Sequence, residues 1–227
     1  MGNKSLFNNL LIILIFIISS HSFAVYSQVD SLVLVKDKDG IQIYKEKDAH
    51  LNINRIVSRS DYSSNFMDIL ALVRNFEHQK DWVYSNTGAV LIDSISPYEW
   101  IYYSISETPW PFQDRDIVAR VKLEVDYEAQ CLTIHSVAEP NLIPISPEIV
   151  RIMMMDSKWR ITKISEKSSR VELDMLIDVG GNVPQWLVNL FAAKGPFTTF
   201  SNMREELKDL KHQSKVSGYE ELIIFEN

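Results

Sequence analysis

The sequence predicts an α+β fold in which a curved antiparallel sheet wraps around a long C-terminal helix. Three observations carry that expectation. From Ala89 onward apolar and polar residues alternate with period two for about ninety residues, broken only by short turns, as in an antiparallel meander with one greasy and one wet face. A helical segment near residues 65–75 separates this meander from two opening strands, and a helical stripe of Phe200, Met203, Leu207 and Leu210 closes the chain. A sheet curved round one helix leaves a space between them, so the question is what fills it.

Taken in order, residues 1–24 stand apart. Lys4 precedes the apolar run 10–18, which gives way to Ser19, Ser20, His21 and Ser22, the layout of a secretory signal. A spanning helix needs about 20 apolar residues, and this stretch is interrupted by Asn8 and Asn9 even when counted from Leu6. Small residues at Ser22 and Ala24 place cleavage after Ala24, with Ser27 ending a second candidate site and an uncleaved anchor as the alternative. No cysteine follows the run, which excludes a lipid-modified cysteine. The expected destination is periplasmic or secreted. Loss of Lys4 takes the net charge from -7 to -8.

The domain is expected over residues 29–210. Asp39-Gly40 is a turn signal, residues 40–45 alternate around Ile41 and Ile43, and Leu51, Ile53, Arg55, Val57 and Arg59 do so less cleanly, giving two opening strands. Ser63 or Ser64 can cap a helix whose Phe66, Ile69, Leu70 and Val73 share a face, and a short second helix follows over 76–81. The meander turns at residues 96–98, 128–130 and 166–168. Its clearest strands are 115–127, with Ile117, Ala119, Val121, Leu123 and Val125 opposite Arg120, Lys122, Glu124 and Asp126, and 170–179, with Val171, Leu173, Met175 and Ile177 on one face. The last helix begins near Pro184, tolerated in a first turn, and Gly195-Pro196 is expected to kink or break it. Residues 211–227, with Leu222-Ile223-Ile224-Phe225 between acids, form a C-terminal extension whose role the pattern leaves open.

Composition narrows the function. With 30 acidic against 23 basic residues and a pI near 5.3, no broad basic surface exists for nucleic acid. A single cysteine allows neither an internal disulfide nor a cysteine-rich zinc cluster, and Cys131, within an alternating strand, reads as a small buried residue. The histidines are scattered: His50, His78 and His212 lie in polar stretches and His135 lies mid-strand, so no metal and no other cofactor is expected. Nucleophile-elbow, dinucleotide, phosphate-loop and zinc-protease motifs are all missing. Asp114 and Asp116, two apart on one strand, would sit side by side rather than face each other across a cleft.

Asp39-Gly40, Trp82, Pro109-Trp110-Pro111, Arg115-Asp116 and Gly195-Pro196, with the segments around them, resemble in order and spacing the START (StAR-related lipid-transfer) domain. Lys36-Asp37-Lys38-Asp39-Gly40-Ile41-Gln42-Ile43-Tyr44 resembles its opening hairpin, and Trp82 its tryptophan after the second helical segment. Pro109-Trp110-Pro111-Phe112-Gln113-Asp114-Arg115-Asp116 is similar to its Pro-Trp-Pro and Arg-Asp signature. Gly180-Gly181-Asn182-Val183-Pro184-Gln185-Trp186-Leu187-Val188-Asn189, then Gly195-Pro196 and Asn202-Met203-Arg204, resembles its closing helix. The resemblance implies a helix-grip fold (the Bet v 1-like, SRPBCC superfamily) enclosing a hydrophobic tunnel, a lipid or other hydrophobic small molecule as partner, and a gate hinge at Gly195-Pro196.

Arg115 between two carboxylates reads either as a headgroup anchor or as half of a structural ion pair, the latter favoured because a buried arginine needs a carboxylate. Alternation puts Val121, Leu123, Met175 and Ile177 on the inner wall, with Met153 and Met155 added for their adaptable side chains; Trp186, Leu190, Phe197 and Phe200 are the expected inward positions of the helix. Each reads equally as tunnel wall and as core. Some START-like domains hold an ionisable pair in the tunnel, whereas Ile117, Ala119, Val121 and Leu123 are all apolar here, favouring a neutral ligand. The leading expectation is a monomeric, exported lipid-binding or lipid-transfer protein, not an enzyme, making transient contact with membranes. A helix-grip enzyme of the polyketide cyclase or hydrolase kind, and an accessory binding protein with a vestigial cavity, are the alternatives.

Overall fold

The structure, a computed structural model, describes residues 32–47 and 54–208. The signal segment 1–24, the extension 211–227, Leu51, Ile53 and Leu210 of the strand and helix patterns, and His50 and His212 lie outside the described residues. Among the described residues ten strands form one sheet: β1 (Val33–Lys38), β2 (Ile41–Lys47), β3 (Asn54–Tyr62), β4 (Asn86–Ser96), β5 (Glu99–Ser106), β6 (Arg115–Asp126), β7 (Cys131–Ala138), β8 (Val150–Arg151), β9 (Met154–Ser165) and β10 (Ser168–Asp178). Their spatial order is β1-β2-β3-β10-β9-β7-β6-β5-β4, all antiparallel, with β8 pairing parallel to the start of β6. The first three strands build one edge. Helix α1 (Phe66–Arg74), a 3-10 turn (Phe76–His78) and α2 (Gln79–Trp82) then carry the chain to the opposite edge, from which it meanders back until β10 meets β3.

Strand β1 has no counterpart in the sequence alternation. It is an edge strand exposed along most of its length, so neither face imposes a pattern on Val33, Leu34 and Val35. In β3 the inward residues are Ile56, Ser58 and Ser60, whereas Arg55, Val57 and Arg59 are not buried; the set singled out from the sequence is the outer one. The α1 cap is Asn65, whose Oδ1 accepts the Asp68 amide hydrogen at 2.8 Å, rather than Ser63 or Ser64. Asparagine and serine cap equally well, so geometry decides among neighbours.

The meander follows the alternation. On β6, Ile117, Ala119, Val121 and Leu123 are buried while Lys122 and Glu124 are exposed. Asp116 and Val118 on the opposite face are buried as well. There Arg151 of β8 donates to both carboxylate oxygens of Asp116 at 2.8 and 2.9 Å, and further to the carbonyls of Pro140, Ile143 and Pro144. Both side chains of this pair are 2% exposed, so Arg151 clamps β8 and the segment before it onto the sheet's outer face. Farther along, that face is solvated and carries cross-strand pairs such as Arg59–Glu172 at 2.9 Å and Arg170–Asp61 at 2.7 Å. His135 belongs to this face, paired with Asp156 at 2.9 Å, and Cys131 is buried.

Helix α3 (Gln185–Glu206) covers the inner face, about 33 Å long at 1.5 Å per residue. Pro184 is its N-cap. The helix continues through Gly195 and Pro196, where a break is one expectation from the sequence; Pro196 withholds only one backbone donor. The turns beyond the proline are tied down. Thr199 Oγ1 accepts the Tyr84 amide at 3.0 Å, Tyr62 donates to the Phe200 carbonyl at 3.0 Å, and Asn202 donates to the Trp82 carbonyl at 3.2 Å. Arg204 donates to the Asp39 carbonyl and to Ser60 Oγ, both at 2.7 Å.

Candidate functional site

The inner face can be followed row by row through the strand register. One row, Ile43–Ser58–Leu173–Trp159–Ile134–Leu123, lies under the C-terminal half of α3, where Trp159 stacks on Phe200 (5.7 Å, 17°) and meets Trp82 edge-on (6.1 Å, 76°). The adjoining row, Ile56–Met175–Ser157–Ser136–Val121–Trp100, bounds an open space. From there the space extends past Tyr102 and Ser104 to Ser106, paired across the sheet with Arg115. Trp100 to Ser106 is six residues of one strand, about 20 Å. The cavity measures about 580 Å³, within the range of small-molecule pockets.

The roof explains the hollow. Val188, Phe191, Ala192, Gly195, Pro196 and Thr199 of α3 line the cavity, a stripe at offsets 0, 3, 4, 7, 8 and 11 that is small in its middle. A methyl group on Gly195 would meet Tyr84 Cδ1 at 3.4 Å, ordinary contact, so this position is open rather than tightly closed. Where α3 carries Phe200 and Met203 instead, both fully buried, no space remains.

The lining changes character along its length. At the Trp100 end are Ile56, Ile134, Leu173 and Val121, with Ser136 and Ser157 between Ile56 and Val121 in the same row. Ser136 and Ser157 face each other across β7 and β9, and neither hydroxyl has a hydrogen-bond partner among the described residues. Nearer β4, Asn86 Nδ2 donates to Ser104 Oγ at 2.7 Å, while Asn86 Oδ1, Thr108 Oγ1 and Trp82 Nε1 are buried without partners among the described residues. Burial pushes the Tyr102 phenol up to about 12, the direction expected when low polarity penalises the charged form.

Arg115 stands at the far end, 4% exposed. The favoured expectation of an ion pair is overturned: among the described residues no carboxylate is in salt-bridge contact with it. Its Nε donates to the Val179 carbonyl (3.2 Å), Nη2 to the Gly180 carbonyl (3.4 Å), and Nη1 to the Gln113 carbonyl. The flanking acids are otherwise engaged, Asp116 by Arg151 and Asp114 by the Thr108 amide at 2.8 Å. Burial lowers the Arg115 pKa from its ordinary value, partly countered by the Asp114 charge. Gly180 and Gly181 adopt φ of +66° and +69°, a left-handed turn that L side chains rarely take, and this turn brings the accepting carbonyls to the guanidinium.

Residues 43–213 match the START domain. The chain belongs to the START domain family. It is 24% identical over 171 residues to an uncharacterized protein of Pseudomonas aeruginosa, covering 75% of this chain and 84% of that one. It is 23% identical over 167 residues to the phosphatidylcholine transfer protein of Bos taurus, covering 71% and 77% respectively. Among solved structures, it superposes on a STAR-related lipid transfer protein from Xanthomonas axonopodis with a TM-score of 0.73 at 23% identity, covering 79% of this chain and 100% of that one. Human StAR-related lipid transfer protein 5 gives 0.71 at 15% identity, covering 87% and 93%. These likenesses carry the α+β helix-grip fold.

In this START domain Val121, Met155, Met175, Ile177 and Arg115 line the cavity. Leu123, Phe197 and Phe200 belong to the core instead, Phe197 being half-buried beneath the Lys36 ammonium at 3.5 Å. Met153 and Trp186 are corrections. They are 53% and 56% exposed, because Met153 falls before β9 begins and Trp186 lies in the first turn of α3, where it meets Phe112 at 6.3 Å. The side chain of Leu190 lies outside the described part of the structure. Apart from Arg115 at its start, β6 presents an all-apolar inner face. The polar lining comes from β4, β5, β7 and β9, and the sequence carries a signal for it: Ser104, Ser136 and Ser157 occupy inward positions of otherwise apolar alternations.

Proposed function

We propose that this START domain is an exported, monomeric carrier that holds one hydrophobic molecule between sheet and helix and releases it by transient contact with a membrane. The observation that supports it most is the cavity, with an apolar end under Trp100 and Val121 and a roof that leaves space by using small residues. Burial drives uptake, at about 0.8 kcal/mol for each methylene removed from water. A dozen methylenes give roughly 10 kcal/mol before the costs of ordering the ligand. Export rests on the signal-like pattern of residues 1–24. Trp110, which is 91% exposed, and Trp186 are amphipathic rings suited to a membrane–water boundary. The half of α3 before Pro196 is the natural flap, since the bonds from Thr199 to Arg204 pin the other half.

Carriage is favoured over catalysis by the same lining. Among the described residues its charged side chains are Arg115 and the exposed Asp178, whose Oδ1 accepts the Gly180 amide at 2.9 Å. No acid and base converge there on a reacting atom. Native mass spectrometry of protein purified from its own host tests the proposal: one intact lipid per chain is expected, and a chemically altered product would point to an enzyme. Replacing Val121 or Met175 by Trp is expected to abolish uptake at a cost of about 1–3 kcal/mol in stability, read by ligand binding and denaturant unfolding. Uptake surviving both changes would mean that the ligand lies elsewhere.

A further inference from the structure

We infer that the cavity takes a single-chain anionic amphiphile, with its carboxylate or phosphate-monoester head on the Arg115 guanidinium and its chain along the apolar end. The inference rests on the carrier reading and deepens it by naming the class of cargo.

Size sets the chain number. Taking a methylene or an oxygen as roughly the ~30 Å³ of a water molecule, 580 Å³ holds about twenty heavy atoms. Spread over about 20 Å of strand, that is close to one heavy atom per ångström, the proportions of one extended chain. A phospholipid with two long chains needs more than twice the space.

Charge sets the head. A guanidinium has five N–H donors, and Arg115 spends three on the carbonyls of Val179, Gln113 and Gly180. One N–H remains on each terminal nitrogen, two donors for the oxygens of a carboxylate or phosphate. A buried cation held only by neutral carbonyls is costly, and a ligand anion offsets that cost where a neutral head does not. The acids nearby offset this cost only in part: Asp116 is paired with Arg151, while Asp114, bonded to the Thr108 amide, and Asp178, bonded to the Gly180 amide, act on Arg115 through their charge without a salt bridge to it. Ser106, opposite Arg115 in the register, adds a hydroxyl beside the head.

The test uses the delipidated full chain and displacement of a fluorescent fatty-acid probe. Competitors are hexadecanoate, hexadecyl phosphate, methyl hexadecanoate and a two-chain phosphatidylcholine in vesicles. One or both anions are expected to bind roughly 10–100-fold tighter than the neutral ester of equal length. Arg115→Gln is expected to bring that ratio to about one, and Arg115→Lys to keep part of it. The ratio in the unaltered protein remains decisive if the glutamine variant does not fold. Ester binding as tight as both anions overturns the inference and leaves the carrier reading standing, as does preference for the two-chain lipid. Failure of every competitor, probe included, overturns both.

Discussion

Near the Asp39–Gly40 turn, the inner face of the sheet is packed solid: Ile41, Ile43, Ile161 and Val171 have no solvent exposure and close on Phe200 and Met203 of α3. Toward Arg115 the same sheet and the same helix enclose a hollow, with Tyr102, Ser104, Ser136 and Ser157 below and Ala192, Gly195 and Pro196 above. Both regions obey the period-two rule, so alternation decides only which face is inside. Side-chain volume on the helix decides whether that inside is core or container. The packed end also holds the polar ties that α3 makes through Thr199, Phe200 and Arg204, while in the half before Pro196 Asn189 accepts from Lys45 at 3.1 Å.

The sharpest way to break this contrast is truncation at both ends. Phe200→Ala removes a fully buried ring stacked on Trp159 and is expected to cost about 3–5 kcal/mol in denaturant unfolding. Met175→Ala, at the wall of an existing space, loses fewer contacts and is expected to cost about 2 kcal/mol or less, the bottom of the range for such changes. Equal losses would mean that the hollow is packed in solution.

That contrast also marks how far a sequence can be read. The meander, its turns, α1 and the terminal helix are legible because each repeats a period over many residues. Val121, Met175 and Ile177 follow from the same periods and do line the cavity, as does Met155, singled out for its adaptable side chain; Leu123, from the same alternation, is core. The helix side of the site is harder to read for a physical reason. Bulk singles out Trp186, Phe197 and Phe200, yet bulk fills space, and a cavity is lined where bulk is missing. Arg115 is visible in the sequence but its partners are not, because they are backbone carbonyls, one of them brought by a glycine turn 65 residues away, which no local pattern encodes.

A smaller effect of opposite sign is expected at Gly195. Gly195→Ala replaces a helical glycine where the added methyl meets ordinary contact at 3.4 Å, so stability should rise by about 0.5–1 kcal/mol. Stopped-flow uptake should slow in the same variant if the half-helix before Pro196 is the flap. A destabilised G195A would show that Tyr84 cannot yield and that the roof is tighter than its small residues imply.

The smallest expected effect tests what the hollow contains. Ser136 and Ser157 oppose each other on β7 and β9 with no hydrogen-bond partner among the described residues, so Ser136→Ala and Ser157→Ala remove no bond within the protein. Each should change unfolding free energy by less than about 0.5 kcal/mol. A loss near 1 kcal/mol per site, the usual worth of a hydrogen bond, would mean that ordered water bridges the two hydroxyls. The row level with Trp100 and Val121 would then be a fixed polar layer, and the tail of a chain running from Arg115 to Trp100 would have to displace it. Binding separates the cases further. With the hydroxyls idle, the double alanine variant gains affinity for acid and ester alike, leaving the ratio governed by Arg115 untouched. If that ratio falls instead, the head sits at the serines, and the division into an apolar end and a charged end must be redrawn around them.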